Sequence, residues 1–358
     1  MASKTRILFT CGREPGYVRN LLLLRALRQH FEVLELTDHG TGSLLLRNLR
    51  LLPRLLPALR QGHDLVCIGF YGHLLALFLS RLTRKPILFD AFLSTWDTLC
   101  FDRKRFGPHS LPGRLAFWLD RHTSLAAQHV LLDTHAQTRY FVDTFDIPAT
   151  RVSAYYLGYD AEIFFPRPDA SQTAGRFTVL FYGSFLPLQG VEHIIEAAKL
   201  LEGEREIRFR IIGEGMSYAQ VRRLADQLQV QSLTFQASVP YHELPNIIAE
   251  ASVCLGGPFG STNKANRVIA SKTFQALAMA KPTIVGDTPA NRELFRHGED
   301  VWMCKTADAQ ALAAAILGLK QDAALRESIA RRGYERCEEE FSIERQGGRL
   351  KQLIAGML

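Results

Sequence analysis

Short apolar runs alternate with segments of helical periodicity along most of the chain. In the first half, five runs have the length and composition of buried strands, at 6–10, 31–37, 64–70, 85–90 and 129–132. The segments between them, such as 17–30 and 111–127, repeat apolar residues at the spacing of an amphipathic helix. This alternation is typical of a parallel sheet covered by helices, and it predicts a doubly wound α/β domain.

The same alternation starts again at residue 177 and predicts a second domain of this class. Strands are expected at 177–182, 208–212, 232–235 and 283–285. Helices are expected at 191–201, 218–228, 308–319 and 324–334. The intervening stretch 166–176 is rich in Pro, Gly, Ser and Thr, as domain boundaries commonly are. We therefore expect one domain at 1–165 and another at 175–340.

Composition agrees with a soluble protein of two domains. At 358 residues, the chain is longer than one hydrophobic core usually supports. The six cysteines are scattered without a CxxC pair, so we expect neither a zinc site nor a disulfide framework. We also expect no signal peptide and no membrane span, because no apolar run reaches about 18 residues. These features favour the cytoplasm.

The net charge of +7 favours anionic partners, such as sugar nucleotides or anionic lipid headgroups. Nucleic acid is not an expected partner, because the basic residues are spread along the chain without a recognition motif. Two segments of the sequence nevertheless contain several cations close together.

The first of these places is the leucine-rich segment 43–60, where three arginines share one face of a predicted helix. Arg47 and Arg50 are joined by Arg54 at the spacing i, i+3, i+7, and we expect Pro53 and Pro57 to bend or break the helix. Two interpretations stay open. The segment either makes peripheral contact with the inner face of the membrane, or its leucines pack on the sheet while its arginines are solvated.

The second place is a stretch in the last third of the chain with the composition of an anion site. Lys264, Arg267 and Lys272 lie close together in sequence, and Ser271 is placed to cap a helix at 272–280. The free N–H groups and the dipole of a helix N-terminus add to the charge of the three cations. We predict that this stretch binds phosphate.

The helix motif QALAMAKPTIV, with Lys272 three residues before Gln275, resembles the donor-site helix of retaining GT-B glycosyltransferases of family 4. The resemblance implies the α/β GT-B fold, in which two Rossmann-like doubly wound parallel-sheet domains face a cleft. It implies that the C-terminal domain binds the nucleotide sugar and the N-terminal domain binds the acceptor. It also implies that the tail, 341–358, packs back on the first domain. The similarity covers nearly all of 175–340 and the first half loosely.

The chain departs from the family pattern at the donor site. In the family, two glutamates contact the donor sugar and the nucleotide ribose, and Arg267 and Gln275 stand at those positions. Gln275 can still hydrogen-bond a ribose hydroxyl, whereas Arg267 reverses a charge. The family loop whose arginine and lysine hold the diphosphate corresponds here to Gly183, Ser184, Gln189 and Gly190. Because that loop has lost both cations, we infer that Lys264, Arg267 and Lys272 neutralise the diphosphate.

Further donor and cleft residues follow from the resemblance. Gly213 and Glu214 lie in the family's turn beneath the nucleotide, and Val239 lies in the segment whose backbone receives the base. The loop after the first strand is expected to face the cleft, where Gly12 and Gly16 either admit a close approach or form a tight turn. This loop lacks GxGxxG, so a dinucleotide cofactor is not expected.

The acceptor side is less defined. Asp90 is expected at the carboxyl end of its strand, where open α/β sheets place ligand groups. The aromatic and charged segment 91–110 is assigned to acceptor binding, and Asp97 is a further polar candidate. His135 opens a helix and either reaches the cleft or caps the helix.

Together these features predict a glycosyltransferase that moves a sugar from a UDP- or GDP-type donor, with retention of configuration. Arg267 and Lys272 would act in catalysis together with Asp90 and His135, on a polysaccharide or lipid-linked acceptor. No cofactor or metal is expected, because protein cations serve the diphosphate and the chain has no Asp-x-Asp motif. Arg267 reads either the diphosphate or a carboxylate on the donor sugar, as in a uronic acid. The alternatives are a catalytically weak GT-B subunit that partners an active transferase, and a nucleotide-sugar epimerase.

Overall fold

The computed structural model describes residues 4–168 and 176–358, and the chain divides into two compact units. Unit 1 comprises Met1–Leu157 and Ile343–Leu358, and unit 2 comprises Gly158–Ser342. The division after Leu157 is earlier than the expected domain end at 165. Most of the predicted linker, 166–176, lies outside the described residues.

Unit 1 contains a six-stranded parallel sheet with the strand order β2-β1-β3-β4-β5-β6. The strands are β1 (Arg6–Cys11), β2 (Glu32–Leu36), β3 (Leu65–Gly69), β4 (Ile87–Phe92), β5 (His129–Leu132) and β6 (Val152–Ala154). The helices are α1 (Val18–His30), α2 (Leu44–Leu59), α3 (His73–Leu82), α4 (Thr95–Asp97), α5 (Leu111–Ala126), α6 (His135–Phe145) and, from the C-terminus, α14 (Ile343–Ala355).

Unit 2 contains a second six-stranded parallel sheet, with the order β12-β11-β10-β7-β8-β9. The strands are β7 (Phe177–Tyr182), β8 (Ile207–Ile212), β9 (Leu233–Gln236), β10 (Val253–Leu255), β11 (Thr283–Gly286) and β12 (Trp302–Cys304). The helices are α7 (Val191–Leu200), α8 (Tyr218–Leu228), α9 (Leu244–Ala249), α10 (Ser271–Ala278), α11 (Pro289–Leu294), α12 (Ala309–Gln321) and α13 (Ala323–Phe341).

The sheets of unit 1 and unit 2 are both doubly wound, so each has a point where the strand order reverses. In unit 1 the reversal lies between β1 and β3, and in unit 2 it lies between β7 and β10. Open α/β sheets place ligands at the carboxyl ends of the strands at such a point. The fold class predicted from the alternating pattern is confirmed, and the order of the strands locates a candidate site in each unit.

The core of unit 1 has two layers because successive side chains of a strand point to opposite faces. Ile7 and Phe9 of β1 pack in one cluster with α1 and α14, whereas Leu8 packs in the other with α2, α3 and α6. Residues of α5 are packed against this second cluster. Helices α2, α3, α5 and α6 therefore cover the same face of the sheet.

Helix α2 continues through Pro53 and Pro57, so the expectation that these prolines break it is wrong. Both prolines are exposed, and water can reach the carbonyl groups that lose their helical partners. Leu51 and Leu55 are fully buried on the opposite side of the helix. Packing of this apolar side therefore holds the helix together across both prolines.

The three arginines of α2 contact the loop that precedes the helix. Arg47 donates to the Asp38 carbonyl at 3.0 Å, and Arg50 donates to the Asp38 carboxylate at 3.2 Å. Arg54 donates to the Thr37 carbonyl at 3.2 Å. The arginines are thus engaged locally rather than simply solvated.

A buried ion pair joins α1 to the middle of the unit 1 sheet. Arg19 donates to both carboxylate oxygens of Asp90, at 2.9 and 2.7 Å, and to the Tyr155 carbonyl at 2.6 Å. The two side chains are 1% and 0% exposed. Asp90 does not stand at the end of its strand as expected, because β4 continues to Phe92.

Other boundaries also differ from those predicted. The segment 91–110 is partly helical, with α4 followed by a turn of π-helix at Thr98–Asp102. Helix α13 continues to Phe341, past the predicted end at 334. In the added turns, Cys337 and Phe341 continue the helical spacing of buried residues, although most of their neighbours in sequence are charged.

All six cysteines are buried free thiols. Among the helices of the described segments, none combines the length and the hydrophobicity needed to cross a bilayer. Residues 4–168 and 176–358 contain no cluster of three His, Cys, Asp or Glu side chains that could hold a metal ion.

We predict that Asp90→Asn lowers the free energy of unfolding by about 3–5 kcal/mol, because it leaves the Arg19 guanidinium buried without its countercharge. Urea unfolding followed by circular dichroism measures this loss. The matched control is Glu32→Gln, which breaks the ion pair of Arg6 with a half-exposed carboxylate and should cost less than about 1 kcal/mol. Equal effects of the two substitutions would contradict the role assigned to the buried pair.

Candidate functional site

The loops that follow β7 and β8 are in close contact through Gly183 and Gly213. Gly213 has φ +131°, and a Cβ at this position would lie 2.0 Å from the Gly183 carbonyl oxygen. The Phe185 N–H donates to the Glu214 carbonyl at 2.8 Å, which fixes the second loop against the first. No side chain fits between the loops, so backbone groups form the surface there.

Lys272 lies where the strand order of unit 2 reverses. It belongs to α10, which follows β10, and its ammonium group is hydrogen-bonded to Gln189 in the loop that follows β7. The same ammonium lies 4.4 Å from the centre of the Phe181 ring. A Cβ on Gly183 would lie 3.5 Å from Lys272 Nζ. The cation therefore faces the loop in which the family pattern leads us to expect a diphosphate.

The environment of Lys272 is unfavourable to its own charge. The side chain is 5% exposed, and burial lowers its pKa from 10.5 to about 7. Gln189 and Phe181 stabilise the ammonium weakly, and within the described residues no carboxylate offsets the loss of water. A bound anion would supply the missing countercharge.

Gln275 lies one turn after Lys272 on the same side of α10. It is 3% exposed, and its Oε1 accepts a hydrogen bond of 3.1 Å from the Tyr182 hydroxyl. Burial raises the pKa of Tyr182, so the phenol keeps the proton that it donates. The amide of Gln275 is therefore held in one orientation by the last residue of β7.

Lys264 and Arg267 lie in a turn between β10 and α10. The Lys264 side chain is 5% exposed, and Arg267 is half-buried. The short 3₁₀ helix Ala265–Arg267 packs against α11. Neither cation extends into bulk solvent, so both can contribute positive charge to this part of unit 2.

The expected role of Ser271 as helix cap is wrong. Helix α10 begins at Ser271, and Ala270 stands at the N-cap in an extended conformation without a side chain to cap the helix. The extended backbone of Ala270 starts the helix one residue earlier than the sequence pattern suggested. Ser271 is thus the first helical residue, and Lys272 is the second.

The other predicted donor residues occupy the same edge of the unit 2 sheet. Ser184 and Glu214 are exposed in the loops after β7 and β8, and Val239 is half-buried in the loop after β9. Gly190 has φ +60°, and a Cβ there would lie 2.5 Å from the backbone nitrogen of Gly260. A glycine is therefore required at position 190, where the loop after β7 approaches the loop after β10.

Sequence reasoning missed three residues that shape this edge. Tyr182 orients Gln275, and Phe181 supports the Lys272 ammonium. Asn291 is fully buried, and its Nδ2 donates to the carbonyls of Gly257 at 3.3 Å and Gly286 at 2.8 Å. The aromatic pair at the end of β7 was a usable signal, because Phe181 and Tyr182 lie at the carboxyl end of a strand beside the strand reversal, and both contact α10.

In unit 1, the loop after β1 lies at the reversal of the strand order. A Cβ on Gly12 would lie 2.0 Å from the Tyr71 carbonyl oxygen, so a glycine is needed where the loops after β1 and β3 meet. Gly16 is exposed, and a Cβ added there would meet no atom within 4 Å, so this position imposes no such requirement. The tight approach expected for this loop thus falls on Gly12.

The acceptor-side candidates of unit 1 have separate surroundings. His135 is exposed as the first residue of α6, and its ring lies 6.1 Å from that of Tyr156. Asp97 is 3% exposed at the end of α4. The carboxylate of Asp90 forms an ion pair with Arg19, so Asp90 has a structural role. Among these three, His135 is the one that solvent reaches freely.

Known proteins resemble the chain in both sequence and structure. Residues 167–336 match the family Glycosyl transferases group 1. A lipopolysaccharide core biosynthesis glycosyltransferase, LpsD from Rhizobium meliloti, is 27% identical over 180 residues, which is 49% of this chain and 48% of LpsD. The amylovoran biosynthesis glycosyltransferase AmsK from Erwinia amylovora is 25% identical over 198 residues, which is 54% of this chain and 48% of AmsK. The matches thus span about half the length of these relatives.

The crystal structure of Anabaena Alr3699/HepE in complex with UDP and glucose has a TM-score of 0.73 to this chain at 17% identity. It covers 98% of this chain and 100% of that protein. At this identity, the likeness shows the fold alone, which is GT-B. The chain has the GT-B fold, and residues 167–336 are similar to the family Glycosyl transferases group 1.

We predict that Lys272→Met stabilises the ligand-free protein and removes its response to UDP. At pH 7, replacing a lysine whose pKa is lowered to about 7 should raise the free energy of unfolding by on the order of 3 kcal/mol. The gain should shrink as pH rises from 7 towards 10.5, since only the unfolded wild-type lysine is fully protonated in that window. Thermal unfolding with and without UDP measures both effects.

UDP affinity of the wild type should fall as the pH rises from 7 to 8.5, because the neutral lysine must take up a proton to pair with the phosphate. Lys272→Arg keeps a charge throughout this range and should bind UDP without the pH dependence. Isothermal titration calorimetry at three pH values separates these cases. A Lys272→Met protein that binds UDP as tightly as the wild type would contradict the assignment.

Proposed function

We propose that this chain is a retaining glycosyltransferase that takes a sugar from a nucleoside diphosphate, of the UDP or GDP type. The observation that carries the proposal is the buried ammonium of Lys272, held against the β7 loop without a carboxylate partner among the described residues. The match of residues 167–336 to the family Glycosyl transferases group 1 supports the reaction class. UDP is favoured because the structural neighbour from Anabaena was solved with UDP.

The diphosphate would lie against the loop from Gly183 to Gly190, with Lys272 contacting it in place of Gln189. Departure of the nucleoside diphosphate builds negative charge on the oxygen that it takes from the sugar. Preorganised cations in a site poor in water stabilise that charge more in the transition state than in the ground state. Lys264 and Arg267 would add to this stabilisation from the neighbouring turn.

Gln275 would hold the nucleotide ribose. The Tyr182 hydroxyl donates to its Oε1, so the amide nitrogen is directed away from that contact as a donor for a ribose hydroxyl. The buried position of both residues keeps this orientation fixed. A glutamate would accept from the ribose, whereas Gln275 can donate to it, so the same hydrogen bond is made with opposite polarity.

The acceptor would be a saccharide of a cell-surface polysaccharide or of a lipid-linked precursor. Support comes from the relatives, whose names place them in lipopolysaccharide core and amylovoran biosynthesis. On this chain, His135 and the segment that contains Asp97 are the acceptor-side candidates. His135 can exchange a proton with an acceptor hydroxyl, because it is exposed at the start of α6.

A second candidate function is a catalytically weak subunit that binds a nucleotide sugar and assists an active transferase. The specific observation in its favour is the pair Ser184 and Gln189, which replace the two cations of the family loop, together with Arg267 in place of a glutamate. An uncharged loop would hold a diphosphate less tightly unless Lys272 compensates.

We predict that the purified chain releases UDP from at least one UDP-sugar and that Lys272→Met lowers kcat/KM about 10²–10³-fold. Ser184→Ala is the matched control in the same site and should change kcat/KM less than about threefold, because its side chain carries no charge. A panel of UDP, GDP and ADP sugars, read by release of nucleoside diphosphate and by NMR of the new anomeric centre, measures both.

The panel also separates the alternatives. If no donor in it is turned over while UDP still binds, the weak-subunit function holds and the transferase function does not. Altered free nucleotide sugar without acceptor would indicate an epimerase instead. A preference for UDP-glucuronate over UDP-glucose that Arg267→Gln abolishes would show that Arg267 reads a carboxylate on the sugar. Equal use of both donors would assign Arg267 to the diphosphate.

A further inference from the structure

Helix α2 presents an unusual row of leucines to solvent. Leu45, Leu49, Leu52 and Leu56 follow the spacing i, i+4, i+7, i+11, which is one narrow stripe of an α-helix. Leu45 is 58% exposed, and Leu49 and Leu56 are each 50% exposed. Leu52 is half-buried and also packs against the core, so Leu45, Leu49 and Leu56 are the members of the stripe that face solvent.

Helix α5 repeats the same spacing. Leu111, Leu115, Trp118 and His122 form its stripe, and the first three are 82%, 57% and 42% exposed. The Trp118 ring stacks on that of His122 at 4.4 Å. Two helices of unit 1 therefore carry apolar stripes of the same geometry on their outer sides.

Helix α3 joins the two stripes into one surface. It packs against both α2 and α5, and it exposes Phe78 by 50% and Leu82 by 44%. The three helices cover the same face of the unit 1 sheet, as described above. We name the outer side of α2, α3 and α5 the leucine surface; its exposed apolar members are Leu45, Leu49, Leu56, Phe78, Leu82, Leu111, Leu115 and Trp118.

Within residues 43–122, which carry the leucine surface, exposed charge is almost entirely positive; outside this range, the exposed Asp146 carboxylate lies 3.6 Å from Arg121. Residues 43–122 contain twelve lysines and arginines and five aspartates. Four of these aspartates are buried, with Asp90, Asp97, Asp102 and Asp120 between 0% and 3% exposed. The fifth, Asp64, is half-buried and accepts a hydrogen bond of 2.9 Å from the Arg6 N–H.

The cations border the apolar residues at both ends of the helices. Arg60 follows α2, and Arg84 and Lys85 follow α3, all of them exposed. The exposed Arg114 lies on α5, beside Leu115. An open depression of about 610 Å³ lies between the aromatic rings of Trp96, Phe117 and Trp118, with Arg114 and Arg121 also in its wall.

We propose that the leucine surface binds an anionic lipid bilayer, with its leucines and Trp118 in the interface and its arginines on the headgroups. Helices that lie flat in a bilayer interface combine an apolar stripe with flanking cations in this way. Trp is favoured at that depth, because its ring is apolar and its N–H is polar. A bilayer also explains why all three helices expose apolar side chains in the same direction.

The proposal extends the membrane contact expected for 43–60 in two respects. It adds α3 and α5, which the sequence pattern did not single out, and it changes the role of the α2 arginines. Arg47, Arg50 and Arg54 hold the preceding loop, so Arg60, Arg84 and Lys85 are the cations that meet the headgroups.

The test is sedimentation of the full chain with phosphatidylcholine vesicles, with and without phosphatidylglycerol. We expect binding to the anionic vesicles, with at least about tenfold weaker binding to the neutral ones and in high salt. Leu49→Glu with Leu115→Glu should weaken anionic-vesicle binding at least about tenfold. The matched control is Leu200→Glu, which replaces a leucine that is 53% exposed on α7 of unit 2 and should bind as the wild type does.

Tryptophan fluorescence supplies a second readout that does not depend on the folding of the glutamate variants. The emission of the wild type should shift to shorter wavelength on anionic vesicles, and Trp118→Phe should lose most of the shift. Trp302→Phe, which replaces a tryptophan of β12 in unit 2, should bind as the wild type does and keep the shift. The proposal is overturned if the wild type does not bind anionic vesicles, or if the double glutamate variant, with an unchanged circular dichroism spectrum, binds as the wild type does. It is also overturned if the surface instead forms a dimer in solution that the same variant dissociates.

Discussion

At the carboxyl edge of the unit 2 sheet, the structure depends on a cation that is buried without a carboxylate partner among the described residues. Lys272 gives up most of its hydration for one amide oxygen and the face of one aromatic ring, and burial lowers its pKa to about 7. Such a group is costly to keep in a ligand-free protein, since a polar partner does not replace the lost water. A bound anion would supply the missing countercharge, so the stability lost in the ligand-free protein would be regained as affinity for the anion.

The surrounding backbone fixes the loops on either side of Lys272. The strand order of unit 2 reverses between β7 and β10, so the loop that holds Gln189 and the helix that holds Lys272 meet at the carboxyl edge of the sheet. Gly183 and Gly213 are in contact through atoms that leave no room for a side chain. Asn291 ties the chain after β10 to the end of β11. Each of these contacts limits the movement of the loops around the lysine.

In unit 1, by contrast, the buried charges of Arg19 and Asp90 form an ion pair. Arg19 and Asp90 satisfy each other within the core, so this pair fixes α1 on the sheet and has no need of a ligand. Asp97, Asp102 and Asp120 are also buried, so arginine and lysine provide most of the exposed charge of residues 43–122. Residues 43–122 therefore expose leucine and positive charge but little carboxylate.

The alternating apolar pattern predicted both sheets, because each strand and helix must bury one side and therefore shows its period in the sequence. The motif around Lys272 and Gln275 predicted that both residues lie on one helix, since they are close in sequence, and their role in donor binding stays a prediction. The partners of those residues could not be predicted in the same way. Tyr182 and Gln189 reach α10 across the strand reversal, and the pairing of Arg19 with Asp90 spans two elements that are distant in sequence.

The expected break at Pro53 and Pro57 and the expected cap at Ser271 failed for a related reason. Intrinsic preference of a residue is a weak influence when packing favours another arrangement. Leu51 and Leu55 hold α2 to the sheet across both prolines, and the extended backbone at Ala270 sets the start of α10. Both outcomes are decided by tertiary structure that the local sequence does not contain.

The most direct test is a crystal structure of the chain with UDP bound. The ammonium of Lys272 should lie within about 3 Å of a phosphate oxygen, with its hydrogen bond to Gln189 released or shared. A diphosphate located away from the β7 loop, with Lys272 still bonded to Gln189 alone, would contradict the assignment of the buried lysine as the diphosphate-binding cation.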